Sequence, residues 1–333
     1  MKKLIFLSLS LALGVPLFAD SLHIFKCSED GIPGQTEPEL MGFNISANGQ
    51  YICGAIQQGS GFFSASCLTG EVKWMMGDAG GELRGIDNNG VATGWLDDDG
   101  VMFSFDTGEV SSFKAPSDFR YVLGEGISND GSVMVGSLAS QSFKTSAAYC
   151  ARDGEWKELS YPSDEELGGL KEYLNSFSSA KYVSGDGKVV LGYLGSYTLP
   201  TLWIRNEAGD YITDFFPARF VKAGEADLDD DSKMLYGLSG MYMCMSNNGK
   251  YIGLTGEIAD SGQSGRRLVP VIYNTEEKTV KIYSEVQDIN EYGLGLYAHA
   301  IADDGTFIGT ISELNNNLGA FIMKAGEEQA ELY

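Results

Sequence analysis

Positive charge is scarce in this chain. Its 333 residues carry 23 lysines and arginines against 46 aspartates and glutamates, a formal charge of −23. Phosphate backbones and anionic membrane surfaces both require a cationic face, so nucleic acid is excluded as a partner and membrane adhesion is disfavoured. Charged residues make up only 21% of the chain, and 43 residues are glycine, which argues against a long-helix or coiled-coil protein. Histidine is scarcer still: only His23 and His299 are present, and none of the five cysteines forms a CxxC pair. A Cys/His zinc site therefore lacks its ligands, and no metal or cofactor is expected. Long apolar runs are also missing. After the first 19 residues no segment approaches the roughly 20 apolar residues of a membrane span.

Those first residues have the pattern of a Sec-type signal: Lys2 and Lys3, an apolar stretch from Leu4 to Leu13, and a small-residue cleavage region ending at Ala19. The expected organisation is a signal peptide at 1–19, an N-terminal segment at 20–40 that is a candidate ring-closing strand through Ser21 to Lys26, and one repeat domain at 41–333. Loss of the two lysines takes the mature charge to −25, 21 basic against 46 acidic residues. Export from a bacterial cell follows, to the periplasm, the cell surface or the medium. Five mature cysteines leave at least one thiol unpaired. One bridge is conceivable, Cys53 to Cys67, across a hairpin centred on Ser60; the alternative is that both are small buried apolar residues.

What the chain has is a repeat. An apolar residue, a small or acidic residue, any residue, Asp or Asn, and Gly precede a short apolar strand ending in Gly. The copies are ISANGQYICG (45–54), IDNNGVATG (86–94), ISNDGSVMVG (127–136), VSGDGKVVLG (183–192), MSNNGKYIG (245–253) and IADDGTFIG (301–309). Asn-Gly and Asp-Gly between apolar segments predict a hairpin on a type I′ turn. A second hairpin follows each copy, so every unit has four strands, A to D. Six such units predict an all-β, six-bladed β-propeller of four-stranded antiparallel blades. A two-sheet sandwich would not need six copies of one turn at one place in the unit.

The unit resembles the extracellular HAF repeat family, in which an A-x-x-I-S-x-D-G-x-V-V-G segment precedes a strand reading roughly A-F-L-W and a Gly turn. GISNDGSVMVG with SAAYCARDG, VSGDGKVVLG with PTLWIRNEAG, and IADDGTFIG with GAFIMKAGE are the best matches. The resemblance covers about residues 41–333 and implies an exported repeat scaffold without catalytic residues to carry over. The second strand departs from it in several units, as in FFSASCLTG. The sialidase Asp box does not fit, because Gly follows Asp or Asn directly and the required Trp is absent.

In a propeller the A–B and C–D turns share one face and the B–C and D–A connections the other. The first set is short throughout. The second includes residues 161–180, with a short helix expected near Glu165 to Leu174, residues 217–241, and residues 257–267, so binding is expected on that face. Two positions before each motif stand Phe43, Arg84, Glu125, Lys181, Met243 and His299. Four ionisable groups on innermost strands suggest a polar receptor ring; the competing explanation is that Arg84, Glu125 and Lys181 pair across blade interfaces. Tyr173, Arg266 and Arg267 on the long connections are further ligand-binding candidates, the arginines for an anionic group. The acidic runs at 97–99 and 227–231 do not match a calcium loop. No nucleophile motif accompanies His299.

Two functions follow. The first is a non-enzymatic exported propeller that binds a protein or glycan on the long-loop face. The second is a carbohydrate-active hydrolase or lyase, with Glu125, Glu172 and Asp227 among candidate carboxylates.

Overall fold

In four of the six motifs the small residue is a serine, and its burial explains the motif. Ser46, Ser128, Ser184 and Ser246 are wholly buried. Each hydroxyl accepts the backbone N–H that opens strand B, from Tyr51 (3.0 Å), Val133 (3.0 Å), Val189 (2.9 Å) and Tyr251 (2.9 Å). Each also donates to Oδ1 of the Asn or Asp two residues on, at 2.7–2.8 Å. The glycine N–H returns to the carbonyl three residues back, 2.8 Å for Gly49 to Ser46. Only the glycines are left-handed, with φ from 70° to 82°, and the Asn or Asp before them is not. The expected type I′ turn is thereby corrected: the turn closes before the glycine, which serves as the left-handed residue after it.

The computed structural model describes residues 40–332 except 57–59, 98, 143, 153, 168–173, 175–176, 196–198, 215–232, 261–265, 283–293, 314–315 and 324–330. The expected signal peptide, Ser21 to Lys26 and Cys27 lie outside the described residues. Six four-stranded antiparallel sheets run in chain order. The first holds β1 (Leu40–Ile45), β2 (Tyr51–Ile56), β3 (Gly61–Ser66) and β4 (Val72–Met76), and the second β5 (Gly81–Ile86), β6 (Val91–Leu96), β7 (Asp99–Ser104) and β8 (Val110–Ser112). The third holds β9 (Phe119–Ile127), β10 (Val133–Ser140), β11 (Thr145–Ala151) and β12 (Lys157–Glu158). After helix α1 (Asp164–Leu167) comes the fourth, β13 (Ser178–Val183), β14 (Val189–Leu194), β15 (Leu199–Arg205) and β16 (Tyr211–Asp214). The fifth is β17 (Lys233–Met245), β18 (Tyr251–Asp260), β19 (Arg266–Asn274) and β20 (Thr279–Ile282), and the sixth β21 (Leu294–Ile301), β22 (Phe307–Glu313), β23 (Asn316–Met323) and β24 (Glu331–Leu332).

Alternation along the strands gives every sheet two apolar faces, and each sheet packs on the next. Cys53 and Phe62 meet Leu83, Ala92 and Phe103; Val91 meets Val122, Met134 and Trp156; Val135 meets Val190 and Trp203; Leu191 and Leu202 meet Ile252 and Val271; Ile272 meets Phe307 and Phe321. A fully buried Phe such as Phe62 contributes about 2–3 kcal/mol. The turns add a ladder in one direction: Asn48 N–H to Asn88 Oδ1 (2.9 Å) and Asn248 N–H to Asp303 Oδ1 (2.7 Å) at its ends, with Asn88 to Asn129 (3.0 Å), Asn129 to Gly185 (3.0 Å) and Gly185 to Asn247 (2.6 Å) between them. Among the described residues no strand of the sixth sheet lies against the first to a comparable extent.

In the first five sheets the two faces divide as expected, because the C–D turn starts beside the A–B turn, as in Cys67 N–H to Gln50 O at 2.7 Å. The opposite face departs from expectation in two places. Residues 233–241 belong to β17, and residues 257–260 and 266–267 extend the β18–β19 hairpin, so the fifth sheet is lengthened by paired strands there. The described part of the expected helix is α1, where Ser163 Oγ and Glu166 Oε2 form reciprocal capping bonds.

Candidate functional site

The strand-end glycine of the motif determines what strand A can do. A Cβ at Gly54, Gly94, Gly136, Gly192 or Gly309 would lie 1.9–2.2 Å from the carbonyl oxygen of Met41, Glu82, Leu123, Ser179 or Tyr297. That close approach accompanies a β-bulge in strand A at the same height in five sheets. Gly42 pairs with Gly54 and Asn44 with Cys53, leaving Phe43 as the extra residue. Arg84, Glu125, Lys181 and His299 are extra in the same way. An extra residue re-aims its side chain, so these positions are presented by the bulge. They stand two residues before the tight-turn end of the strand, deeper than the expected mouth.

Met243 is different. It pairs regularly with Leu254 and lies buried among Leu191, Ile252 and Val271, so it is a core residue and not a member of the ring.

The inner strands β1, β5, β9, β13, β17 and β21 lie side by side in that order. Glycine allows their closest approach, since a Cβ on Gly85 would be 2.8 Å from Gly126 Cα. Arg84 is exposed on 41% of its side chain and pairs with Glu82, and its guanidinium stacks 4.9 Å from the Phe43 ring of the first sheet. Asn44 Nδ2 donates to the Arg84 carbonyl at 3.2 Å. Lys181 and Glu125 form an ion pair between the fourth and third sheets, with side chains 21% and 14% exposed. Pairing across interfaces thus describes Glu125 and Lys181, whereas Arg84 pairs within its own strand. His299 Nε2 lies 2.8 Å from Thr310 Oγ1, and partial burial pushes its pKa down.

Tyr182, missed in the sequence, joins this group. It stands where the second and third sheets have Gly85 and Gly126, so a bulky residue in place of glycine was the available signal. It is 37% exposed, yet surrounding protein pushes its hydroxyl above the usual range, with Cys244 and Glu125 adding and Arg84 opposing.

No family model and no curated protein matches the chain. Among solved structures it is similar to the hydrazine synthase of Kuenenia stuttgartiensis, at 15% identity over 88% of this chain and 80% of that one, with TM-score 0.51. It is also similar to the β-propeller domain of Cps50 (Swd1) from Myceliophteria thermophila, at 10% identity over 84% and 82%, with TM-score 0.50. The fold is of the β-propeller type. At such identities the likeness concerns the scaffold alone.

The remaining candidates are scattered over this propeller. Arg266 and Arg267 lie in β19 of the fifth blade, paired with Ala259 and Ile258. Tyr173, Glu172 and residues 227–231 lie outside the described residues. Asp97 is a turn residue with φ 56°, its Oδ1 accepting the Ala79 N–H at 2.6 Å. Of the two readings of Cys53 and Cys67 the bridge is corrected: both thiols are free. The hairpin is centred differently, placing Ser64 opposite Cys53 and bonding Cys67 N–H to Gln50. Burial pushes the thiol pKa of both upward. No described helix is long and apolar enough to cross a membrane.

Proposed function

We propose that this chain is an exported six-bladed β-propeller that binds a protein or glycan and is not an enzyme. One observation carries the reading: a constant scaffold repeats the same bulge five times and places a chemically different side chain on each, Phe43, Arg84, Glu125, Lys181 and His299. Repetition of geometry with variation of chemistry suits recognition. Closure of the ring falls between the sixth and first blades. It is supported by the one-directional turn ladder and by Ile45, 36% exposed where Ile86, Ile127 and Ile301 are 6%, 8% and 6% exposed. The N-terminal signal pattern supports export, and the HAF-like unit supports an extracellular scaffold.

On this reading the partner approaches from the face of the longer connections and reaches the inner-strand cluster. Thermal-shift measurements with a set of soluble oligosaccharides test it, since a ligand at a hundred times its Kd stabilises by about 2.7 kcal/mol, a shift of several degrees. At least one should raise the Tm, and the rise should vanish in Arg84→Met and Lys181→Met. A shift that survives both substitutions overturns the inner strands as the site. Cleavage of the oligosaccharide overturns the non-enzymatic reading.

A further inference from the structure

Three of the six turns carry Asn followed by Gly: Asn48–Gly49, Asn89–Gly90 and Asn248–Gly249. A glycine nitrogen, unhindered by a side chain, can attack the amide carbon of the preceding asparagine. The N–Cγ bond forms, the Cγ–Nδ2 bond breaks, and ammonia leaves with the proton from the glycine nitrogen. Water then opens the cyclic imide to aspartate or isoaspartate. In a folded chain the reaction depends on how firmly the asparagine amide and the glycine N–H are held.

The three turns differ in this respect. Asn48 Oδ1 accepts from Ser46 Oγ (2.7 Å) and Gln50 N–H (3.1 Å), while its Nδ2 donates to Asn88 O (3.0 Å). Asn248 is held likewise by Ser246 Oγ (2.8 Å), Lys250 N–H (2.9 Å) and Asp303 O (3.4 Å). The Asn89 side chain makes a single 3.3 Å bond, from Nδ2 to Asp87 Oδ2. The Gly90 N–H is also the most weakly held of the six turn glycines, at 3.3 Å against 2.8–2.9 Å elsewhere.

Asp87 is the cause. It is wholly buried where four turns have serine, and a carboxylate has no proton to give to Asn89 Oδ1. Its Oδ1 instead takes the N–H groups of Asn89 (2.8 Å) and Val91 (2.7 Å). In the equally short sixth turn, which has Ala302, the corresponding Thr306 N–H goes to Asp304 Oδ1 at 2.8 Å.

We propose that Asn89–Gly90 is a spontaneous deamidation site and the first of the three to convert. The aspartate product fits the turn, because Asp130, Asp186 and Asp304 already occupy that position. The isoaspartate product inserts a methylene into the backbone beside Asn88, which accepts from Asn48 and donates to Asn129. It therefore loosens the junctions among the first three blades.

Peptide mapping by mass spectrometry, after ageing the folded chain in mildly alkaline buffer, tests this. Asn89 should gain one dalton roughly tenfold faster than Asn48 or Asn248, the factor matching loss of about one hydrogen bond. Asp87→Ala, which reproduces the sixth turn and frees the Val91 N–H for Asn89 Oδ1, should bring Asn89 down to the rate of the others. Conversion of Asn48 or Asn248 as fast as Asn89 overturns the proposal, as does an unchanged Asn89 rate in a folded Asp87→Ala. If circular dichroism shows that variant to be unfolded, the order of the three rates in the unaltered chain decides.

Discussion

The third and fifth blades use the same turn, and among their differences one residue of strand B bears on the inner strand. In the third, Gly136 faces Gly124 and the inner strand bulges at Glu125. In the fifth, Leu254 holds the equivalent position, facing Met243, and the strand runs regularly there, with its irregularity moved back to between Ser239 and Met243. The same register holds at Gly54, Gly94, Gly192 and Gly309, each opposite a bulge. A side chain on strand B occupies the space into which the bulged carbonyl would move. Presence or absence of one Cβ thus separates a blade that presents a polar residue from one that buries Met243.

Substituting both positions breaks the comparison most severely. Gly136→Ala puts a Cβ 1.9 Å from the Leu123 carbonyl oxygen and should cost about 3 kcal/mol or more through strain, with altered exposure of Glu125. Leu254→Ala, at a wholly buried site, should cost about 3 kcal/mol through a cavity instead, leaving the strand register intact. Urea unfolding measures both, and hydrogen exchange along β9 and β17 tells strain from cavity. If Gly136→Ala proves harmless, the glycine does not set the bulge.

The turns give a smaller contrast. Ser128→Ala removes the hydroxyl that accepts the Val133 N–H at 3.0 Å and should cost about 1–2 kcal/mol in urea unfolding. The sixth turn avoids that loss because Ala302 is matched by a loop one residue shorter, in which the Asp304 carboxylate holds the Thr306 N–H.

The smallest effect is on pH dependence. Asp130 is held below the ordinary carboxylate range first by the Ser132 side chain, then by the Ser132 amide and the Ser128 hydroxyl. A lowered pKa means that its contribution is present above the unfolded value, about 3.9, and is lost as pH falls through the lowered folded value. Asp130→Asn, which matches Asn48 and Asn248, should flatten the acid side of the Tm–pH curve slightly. An unchanged curve would show that the turn gains nothing from the charge.

Much of this was legible in the sequence. Six Asp/Asn-Gly turns led to six four-stranded sheets, and the spacing before the motif pointed to Phe43, Arg84, Glu125, Lys181, Met243 and His299, although nothing in the spacing indicated that five were bulges and that Met243 was core. Other features were misread because side-chain partners across blades have no local signature. Cys53 and Cys67 looked like hairpin partners, but the register was shifted. Residues 257–260 and 266–267 looked like part of a loop because their pairing in the β17–β18–β19 sheet is decided by neighbouring strands and not by composition. Tyr182 was missed because its position lies outside the spacing that singled out the bulged residues, although glycine stands there in the second and third sheets.

By itself the sequence determined the number of units, the place of the turns and the acidic character. Periodicity, turn residues and net charge are properties that each segment carries locally. Tertiary structure alone decided which ionisable residues pair, where Arg84 stacks, and that the strand-end glycine exists to admit a neighbouring carbonyl. Each of these depends on distances between strands brought together only when the sheets pair and pack.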